Sequence, residues 1–256
     1  MLLLPAFSLA KRELVRFLRQ RNRIIGALAT PIVFWLLIGL GMGRSFKADT
    51  PGGGDYLQYF FPGTVMMVIL FTAIFSTISI IEDRREGFLQ SVLVAPVPRM
   101  AIVLGKILGG TVLASGQAMI FLLLAPLAGI GFSVAGFLLS MMIVVLTSFA
   151  LTGLGVCIAW RMSSTQGFHA IMNLFLMPMW FLSGALFPPD QARGGLKWVM
   201  AVNPLTYALS ALRQSMFWKH DYGTWAIQTL VTIAFGAVMF ILASRMVAKP
   251  IAADLQ

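Results

Sequence analysis

Residues 59–81 read YFFPGTVMMVILFTAIFSTISII and contain no Asp, Glu, Lys or Arg, and residues 82–87 that follow read EDRREG. The hydrocarbon core of a bilayer is about 30 Å thick, and a helix needs about 20 apolar residues to cross it. Charged side chains are costly inside that core. The stretch therefore predicts a transmembrane helix that ends abruptly in a charged loop.

Five further stretches are long and apolar enough to cross a bilayer, and the composition of the whole chain agrees with them. Hydrophobic residues make up 59% of the sequence and charged residues 11%, whereas about 25% of a soluble domain is charged. We therefore predict an all-α membrane protein that forms a single domain over residues 1–256. Its six transmembrane helices are placed at residues 24–43, 59–81, 102–126, 135–160, 168–187 and 225–243.

The basic residues orient these spans. Most of the 19 Lys and Arg residues lie before residue 24, in the loop 82–99, just after residue 160 and after residue 243. Loops rich in Lys and Arg stay in the cytoplasm, so both termini are predicted to be cytoplasmic in a bacterial inner-membrane protein. The net charge of +10 is thereby assigned to the membrane surface, and no nucleic-acid partner is predicted.

Residues 5–22 predict an amphipathic helix. At helical spacing Phe7 and Leu14 lie on one face, and Arg12, Arg16 and Arg19 lie on another. Such a helix lies in the membrane interface with its basic side toward anionic lipid head groups. It serves either as a topology anchor only or also as a docking surface for a partner protein.

The apolar segment 188–224 is interrupted by prolines and glycines at residues 188–189, 194–195 and 203–204. Asn followed by Pro suits the N-cap and the first position of a helix, and the helix predicted over residues 205–218 is too short to span a bilayer. We predict a short re-entrant helical hairpin on the outer side, between spans five and six. Its candidate functional residues are Phe187, Pro188, Asn203, Pro204, Tyr207 and Arg213.

Side chains suited to catalysis or to ion coupling are scarce. All nine Asp and Glu residues fall outside the predicted membrane interior, whereas ion-coupled carriers keep ionisable residues near the bilayer centre. No Gly-rich loop ending in Gly-Lys-Ser/Thr is present to cradle a nucleotide, and the single Cys157 and two histidines form no metal-ligand pattern. We predict no catalytic residue, metal or cofactor in this chain. A secondary carrier or channel independent of ATP is the alternative function, and a membrane-embedded transferase is a third.

The loop 82–99 is the most informative segment of the chain. Its five leading charges precede a short apolar helix, on which Leu89, Val92 and Leu93 share a face. An exposed apolar ridge in a cytoplasmic loop indicates a buried contact. The loop is either a hairpin packed on its own bundle or a coupling helix seated in the groove of a partner.

This loop resembles the pattern of type-2 ABC exporter permeases, in which Glu86, Gly87, Leu93 or Val94, Pro96 and Arg99 occupy matching places. Gly105-Lys106 is similar to a Gly-Lys pair of that family at the foot of span three. The residues 183–188 and 203–207 together with Arg213 resemble the family signature at the end of span five and in the outer hairpin. The chain departs from the family pattern at Phe88, where a small hydroxyl residue is usual, and at Gln90, where an acid is common.

The resemblance implies a partner that supplies the energy. Two permease chains, expected as a homodimer, would pair across spans one and five above two ATPase subunits that hold ATP and Mg, so that this chain is not itself an enzyme. ATP-driven closure of those subunits would push on the loop and on the N-terminal helix. The residues implied in coupling to the ATPase are Glu82, Arg84, Arg85, Glu86, Gly87, Leu89, Leu93, Pro96 and Arg99.

The translocation path is less clearly marked. Hydroxyl and amide side chains at Thr64, Thr72, Ser76 and Asn173 are candidate path-lining residues. Small polar residues in spans are also common helix-packing contacts, and that interpretation stays open, while Gly105 and Gly109 are interpreted as close-packing sites. Family members without a large outer domain lead us to expect a hydrophobic drug or a lipid-linked saccharide as the substrate.

Overall fold

The structure, a computed structural model, describes residues 3–19, 21–42, 55–131, 133–189, 192, 194–217 and 221–248. Several predicted segments lie outside the described residues: the two chain ends at 1–2 and 249–256, the loop 43–54 after the first predicted span, and parts of the predicted hairpin at 190–191, 193 and 218–220. The helices are α1 (Leu3–Leu18), α2 (Arg21–Met42), α3 (Tyr56–Ser76), α4 (Ile78–Arg85), α5 (Phe88–Val94), α6 (Arg99–Leu122), α7 (Val134–Ala159), α8 (Thr165–Trp180), α9 (Gly195–Val202), α10 (Pro204–Phe217) and α11 (Tyr222–Ala248).

Helix α3 occupies the centre of the bundle. It packs against α2, α6, α7, α8 and α10, and nearly all of its side chains, such as Val65, Ile69 and Ile74, are buried. A helix that is apolar on every side suits such a position, because each face meets another helix. Helix α11 packs on α7 and α10 and lies at the periphery, with most of its surface exposed.

Five helical stretches of the described chain are long and apolar enough to cross a membrane: Tyr56–Arg85, Arg99–Leu122, Val134–Ala159, Thr165–Ala185 and Tyr222–Ala248. They match the second to sixth predicted spans within a few residues at most ends. The first predicted span, residues 24–43, coincides with α2 (Arg21–Met42) at all but its last residue, and Leu28–Met42 within α2 is a shorter apolar helix. The first predicted span, and with it the total of six, therefore stays a prediction.

The second predicted span is interrupted at a single residue near its end, Thr77, whose backbone angles stay helical (φ −76°, ψ −8°), so Tyr56–Arg85 remains one helical stretch. Helix α3 ends at Ser76 and α4 begins at Ile78. The Ser76 hydroxyl donates to the Ala73 carbonyl at 2.7 Å, and the Thr77 hydroxyl donates to the Ile74 carbonyl at 2.6 Å. Hydroxyl groups that bond to the preceding turn bend a helix, which accounts for the separate α4.

Two glycines of α6 bring α1 into close contact. A Cβ atom at Gly105 would lie 2.7 Å from Leu9 Cβ and 2.9 Å from the Ala6 carbonyl oxygen, and one at Gly109 would lie 2.9 Å from Glu13 Cβ. The prediction that Gly105 and Gly109 are close-packing sites is confirmed. At these two glycines α1 packs along the first turns of α6. We call the part of the bundle formed by α1, α4, α5 and the first turns of α6 its charged end.

Replacing Gly105 with Ala is expected to loosen this contact. Because a backbone oxygen of α1 cannot turn away as a side chain would, the added methyl group should destabilise the fold by about 1–3 kcal/mol. The matched control is Gly116→Ala on the same helix, where a Cβ atom meets nothing within 4 Å. Thermal unfolding of the purified protein in detergent measures both variants, and equal melting temperatures would contradict the packing.

Candidate functional site

A network of ion pairs holds the charged end together. Asp83 of α4 is fully buried, and Arg12 of α1 donates to both of its carboxylate oxygens, at 2.8 and 3.0 Å. Lys106 of α6, also buried, donates to Asp83 and to Glu13 at 2.6 Å. The hydrogen bond to Asp83 raises the pKa of Arg12 above its usual value. Buried charges are tolerated when they are paired and hydrogen-bonded in this way.

The sequence alone did not predict this buried network. Its pattern places Asp83 in the charged start of the 82–99 loop and Lys106 only in a Gly-Lys pair, and the structure buries both side chains in contact with α1. Glu13, Asp83 and Lys106 are not among the candidate site residues named from the sequence. The available signal was a lysine inside the third predicted span, since a charge there needs a partner.

Arg16 extends the network toward the surface. Its guanidinium contacts Glu82 at 3.0 Å, Asp83 at 3.0 Å and Glu86 at 3.3 Å. The basic face predicted for the N-terminal helix is therefore engaged, at Arg12 and Arg16, by acids of this same chain. Arg19 is exposed, beyond the end of α1.

The remaining arginines of the 82–99 loop bind backbone carbonyls. Arg84 donates to the carbonyls of Trp160 and Met162, at 2.7 and 3.2 Å, and Arg85 donates to the Ser163 carbonyl at 3.1 Å. Arg99 donates to Val247 and Ala248, the last residues of α11, where a helix leaves carbonyls unpaired. These contacts brace the loop against α7, the α7–α8 connection and α11.

Helix α5 turns its apolar face toward the bundle. Gly87, at φ +76°, starts the helix in the left-handed region that favours glycine. Leu89 is buried, and Val92 and Leu93 pack against the core. The ridge assigned to a partner is thus packed on this chain, as the alternative interpretation held, and the surface left open consists of Gln90, Ser91, Val94 and Pro96, with Val94 85% exposed.

A cavity of about 660 Å³ lies between α2, α3 and α8 and reaches the charged end. Phenylalanine and methionine contribute six of its fifteen lining residues, and polar side chains from α2, α3, α4 and α8 contribute another six. It is lined by Phe17, Gly26, Thr30, Pro31, Phe34, Met67, Phe71, Thr72, Phe75, Ser76, Ile78, Glu82, Thr165, His169 and Met177. Pockets of 300–1,000 Å³ suit drug-sized ligands.

The four path-lining candidates separate into two groups. Thr72 and Ser76 line the cavity, and the Thr72 hydroxyl also contacts Gln117 Oε1 at 2.5 Å. Thr64 is buried elsewhere and donates to the Phe60 carbonyl, and Asn173 lies on the exposed face of α8. Neither of the latter two residues lines the cavity. His169, which stacks on Phe75 with ring centroids 5.0 Å apart, lines it and was not predicted.

The opposite end of the bundle is organised around a break in α8. A π turn follows α8 at Phe181–Ala185, with Gly184 at φ +89°. Tyr59 donates its hydroxyl to the Gly184 carbonyl at 3.0 Å, and Arg213 donates to the same carbonyl at 3.2 Å. The Arg213 guanidinium also lies over the Tyr59 ring, 4.2 Å from its centroid. These contacts join α3, α8 and α10.

The hairpin residues take the local structure that their sequence predicts. Asn203 accepts a hydrogen bond from the Leu205 amide at 3.0 Å, so the predicted N-cap is confirmed, and Pro204 is the first residue of α10. Asn203 also donates to the Met179 carbonyl at 2.6 Å, and Tyr207 donates to the Ala201 carbonyl at 2.7 Å. Phe187 and Pro188 follow the π turn and are half-buried.

Comparison with known proteins agrees with these features. The family model of the ABC-2 type transporter matches residues 6–217. Nodulation protein J of Rhizobium leguminosarum bv. viciae is 27% identical over 195 residues, covering 75% of this chain and 74% of that protein. Nodulation protein J of Sinorhizobium fredii is 29% identical over 197 residues, covering 75% and 73%. The daunorubicin resistance ABC transporter permease protein DrrB1 of Streptomyces coeruleorubidus is 21% identical over 231 residues, covering 89% and 79%.

The matched region includes the 82–99 loop with its ion-pair network, the cavity and the break in α8. The resemblance that the sequence motifs carried is therefore confirmed over most of the chain. This protein belongs to the ABC-2 type transporter permease family.

Proposed function

We propose that this chain is the membrane-spanning subunit of an ATP-driven exporter, in which a separate ATPase binds ATP and Mg and docks on α5. The observation that carries this is the open surface of α5. Val94 and Pro96 stand exposed beside Gln90 and Ser91 at a helix that the bundle holds rigidly from behind. Apolar side chains exposed together among polar neighbours favour burial against a partner.

The proposed topology has six spans with both termini in the cytoplasm of a bacterium. The concentration of basic residues at the charged end supports this orientation. Helix α1 would lie at the inner membrane surface, since Leu4 and Phe7 are exposed on its outer side. Helices α9 and α10 would form a re-entrant hairpin at the outer surface, because each is too short to cross a bilayer.

A second copy of the permease would complete the path. Helices α2 and α8, which border the cavity, expose Leu37, Leu40, Leu174 and Phe175 on their outer faces. Apolar helix faces in a membrane are available to lipid or to another helix. Pairing across α2 and α8 would enclose the cavity between two chains, which supports a homodimer.

The substrate proposed is a drug-sized amphiphile, a hydrophobic drug or a lipid-linked saccharide. The cavity wall combines phenylalanine and methionine side chains with polar side chains such as Ser76, Glu82 and His169, so that it suits a molecule with an apolar body and a polar group. The similarity to a daunorubicin resistance permease favours the drug.

Reconstitution with the cognate ATPase in proteoliposomes tests the proposal. We expect transport of an amphiphilic dye that requires ATP, and we expect Thr30→Trp, which fills the cavity, to reduce it about tenfold or more because the loss of cavity volume excludes the ligand. Ala29→Trp is the matched control, since Ala29 is exposed next to Thr30 but does not line the cavity. Uphill transport by the permease alone, without ATP, would overturn the proposal in favour of a secondary carrier.

A further inference from the structure

A continuous series of contacts runs from α5 into the base of the cavity. The first residue of α5, Phe88, carries the Arg12 guanidinium over its ring, with the guanidinium carbon 3.6 Å from the ring centroid. The same guanidinium binds Asp83 through both of its terminal nitrogens. Helix α5 is therefore coupled to α1 and α4 through one arginine side chain. An aromatic ring at position 88 makes this contact possible, because it attracts the cation.

Lys106 is the point at which these helices meet α6. Its ammonium group binds Glu13 of α1 at 2.6 Å, Ser79 of α4 at 3.1 Å and Asp83 of α4. All four side chains are at least nine-tenths buried, so water does not compete for these bonds. An ammonium group has three donors, and here each one reaches a different side chain.

Close packing of α1 against α6 and the interruption between α3 and α4 determine how the helices linked by Lys106 can move. Gly105 and Gly109, on either side of Lys106, leave no space between α1 and α6. Helix α4 follows α3 after the interruption at Thr77. It packs against α5, α7 and α8 and is bonded to α1 and α6 through Asp83, and these contacts together fix its direction. Phe17 of α1 and Glu82 of α4 both line the cavity, and therefore a displacement of the joined helices alters the cavity wall.

We propose that Lys106 is a positioning residue that locks α1, α4 and the foot of α6 into one rigid unit. When the ATPase displaces α5, this rigid unit transmits the displacement to the base of the cavity, because the helices move together and do not bend at Thr77. The inference rests on the proposed function, because it assigns the mechanical link between the ATPase and the path. Without the lysine, the ATPase still turns over, but its motion no longer moves the wall that Phe17 and Glu82 form.

The test measures ATP hydrolysis and dye transport per assembled complex in proteoliposomes. For Lys106→Met we expect transport to fall about tenfold, within the usual range of coupling between sites, while ATP hydrolysis stays near the wild-type rate. Lys106→Arg, which keeps the charge, is expected to recover part of the transport. Lys11→Met is the matched control, since Lys11 is an exposed lysine of α1. A role in assembly alone would lower the amount of complex recovered and leave both rates per complex at the wild-type values, which would overturn the inference.

Phe88→Leu provides a second variant if Lys106→Met is not recovered in the membrane. It removes the contact with Arg12 at the other end of the series and leaves no buried charge unpaired, and it is expected to lower the ratio of transport to ATP hydrolysis in the same direction. A wild-type ratio in the recovered Lys106 variant and in Phe88→Leu would overturn the inference while leaving the proposed function intact. Absence of ATP-dependent transport in the wild-type complex would overturn the proposed function and the inference with it.

Discussion

Replacing Val94 with Asp is expected to separate the ATPase from the permease. Val94 is 85% exposed at the end of α5, so the change leaves the fold of the bundle intact. In a docked complex the new carboxylate would be buried without a partner, which is unfavourable. Loss of a central interface side chain costs about 2 kcal/mol or more of binding free energy, which raises the dissociation constant by a factor of about thirty.

Co-purification of the ATPase with tagged permease from detergent extracts measures this effect. Val134→Asp is the matched control, because Val134 is a valine 81% exposed at the start of α7, on the part of the molecule away from the charged end. Both variants gain the same charge, and only Val94→Asp should lose the ATPase. Equal recovery of the ATPase with both variants would show that α5 is not the docking surface.

Replacing Arg213 with Met is expected to lower the free energy of unfolding by about 2–3 kcal/mol. The guanidinium bonds the carbonyls of Gly184 and Tyr59, at 3.2 and 3.4 Å, and lies over the Tyr59 ring. Hydrogen bonds to a charged group contribute about 1.5–3 kcal/mol, and bonds as long as these belong at the lower end, about 1.5–2 kcal/mol. The cation–π contact contributes about 0.5–1 kcal/mol more. Without the arginine, the break in α8 loses its connection to α10.

The melting temperature of the purified protein should then fall by roughly 5–10 °C, as expected for a chain of this length. Arg161→Met is the matched control, because Arg161 is exposed just after α7 and such changes usually alter stability by less than about 0.5 kcal/mol. Arg213→Lys should lie between wild type and Arg213→Met, since an ammonium group lacks the planar fork of guanidinium. If Arg213→Met and Arg161→Met melt at the same temperature, Arg213 does not stabilise the break.

Much of the fold could be predicted because local chemistry decides it. The positions of the long helices follow from charge-free stretches, since a bilayer excludes charge wherever the chain crosses it. Asn203 and Pro204 predicted the start of α10, because an N-cap acts on the amides that immediately follow it. Gly105 and Gly109 predicted a close helix contact, although not that α1 would be the partner.

The packing partner of α5 could not be predicted in the same way. The sequence indicated that Leu89, Val92 and Leu93 form a buried face, and only the tertiary structure decides whether that face meets this chain or another. The structure buries Leu89 and exposes Val94. The sequence also could not show that Thr72 lines the cavity and Asn173 does not, because spans that are apolar on all sides carry little periodicity.

By itself, the sequence determined where this chain crosses from polar to apolar surroundings, which segments are helical and which family its motifs resemble, because each of these depends on neighbouring residues. Only the tertiary structure decided that Glu13, Asp83 and Lys106 form one buried group and that the base of the cavity is joined to α5. Those contacts connect residues distant in the sequence, and their free energy exists only once three helices have packed closely enough to exclude water from the charges between them.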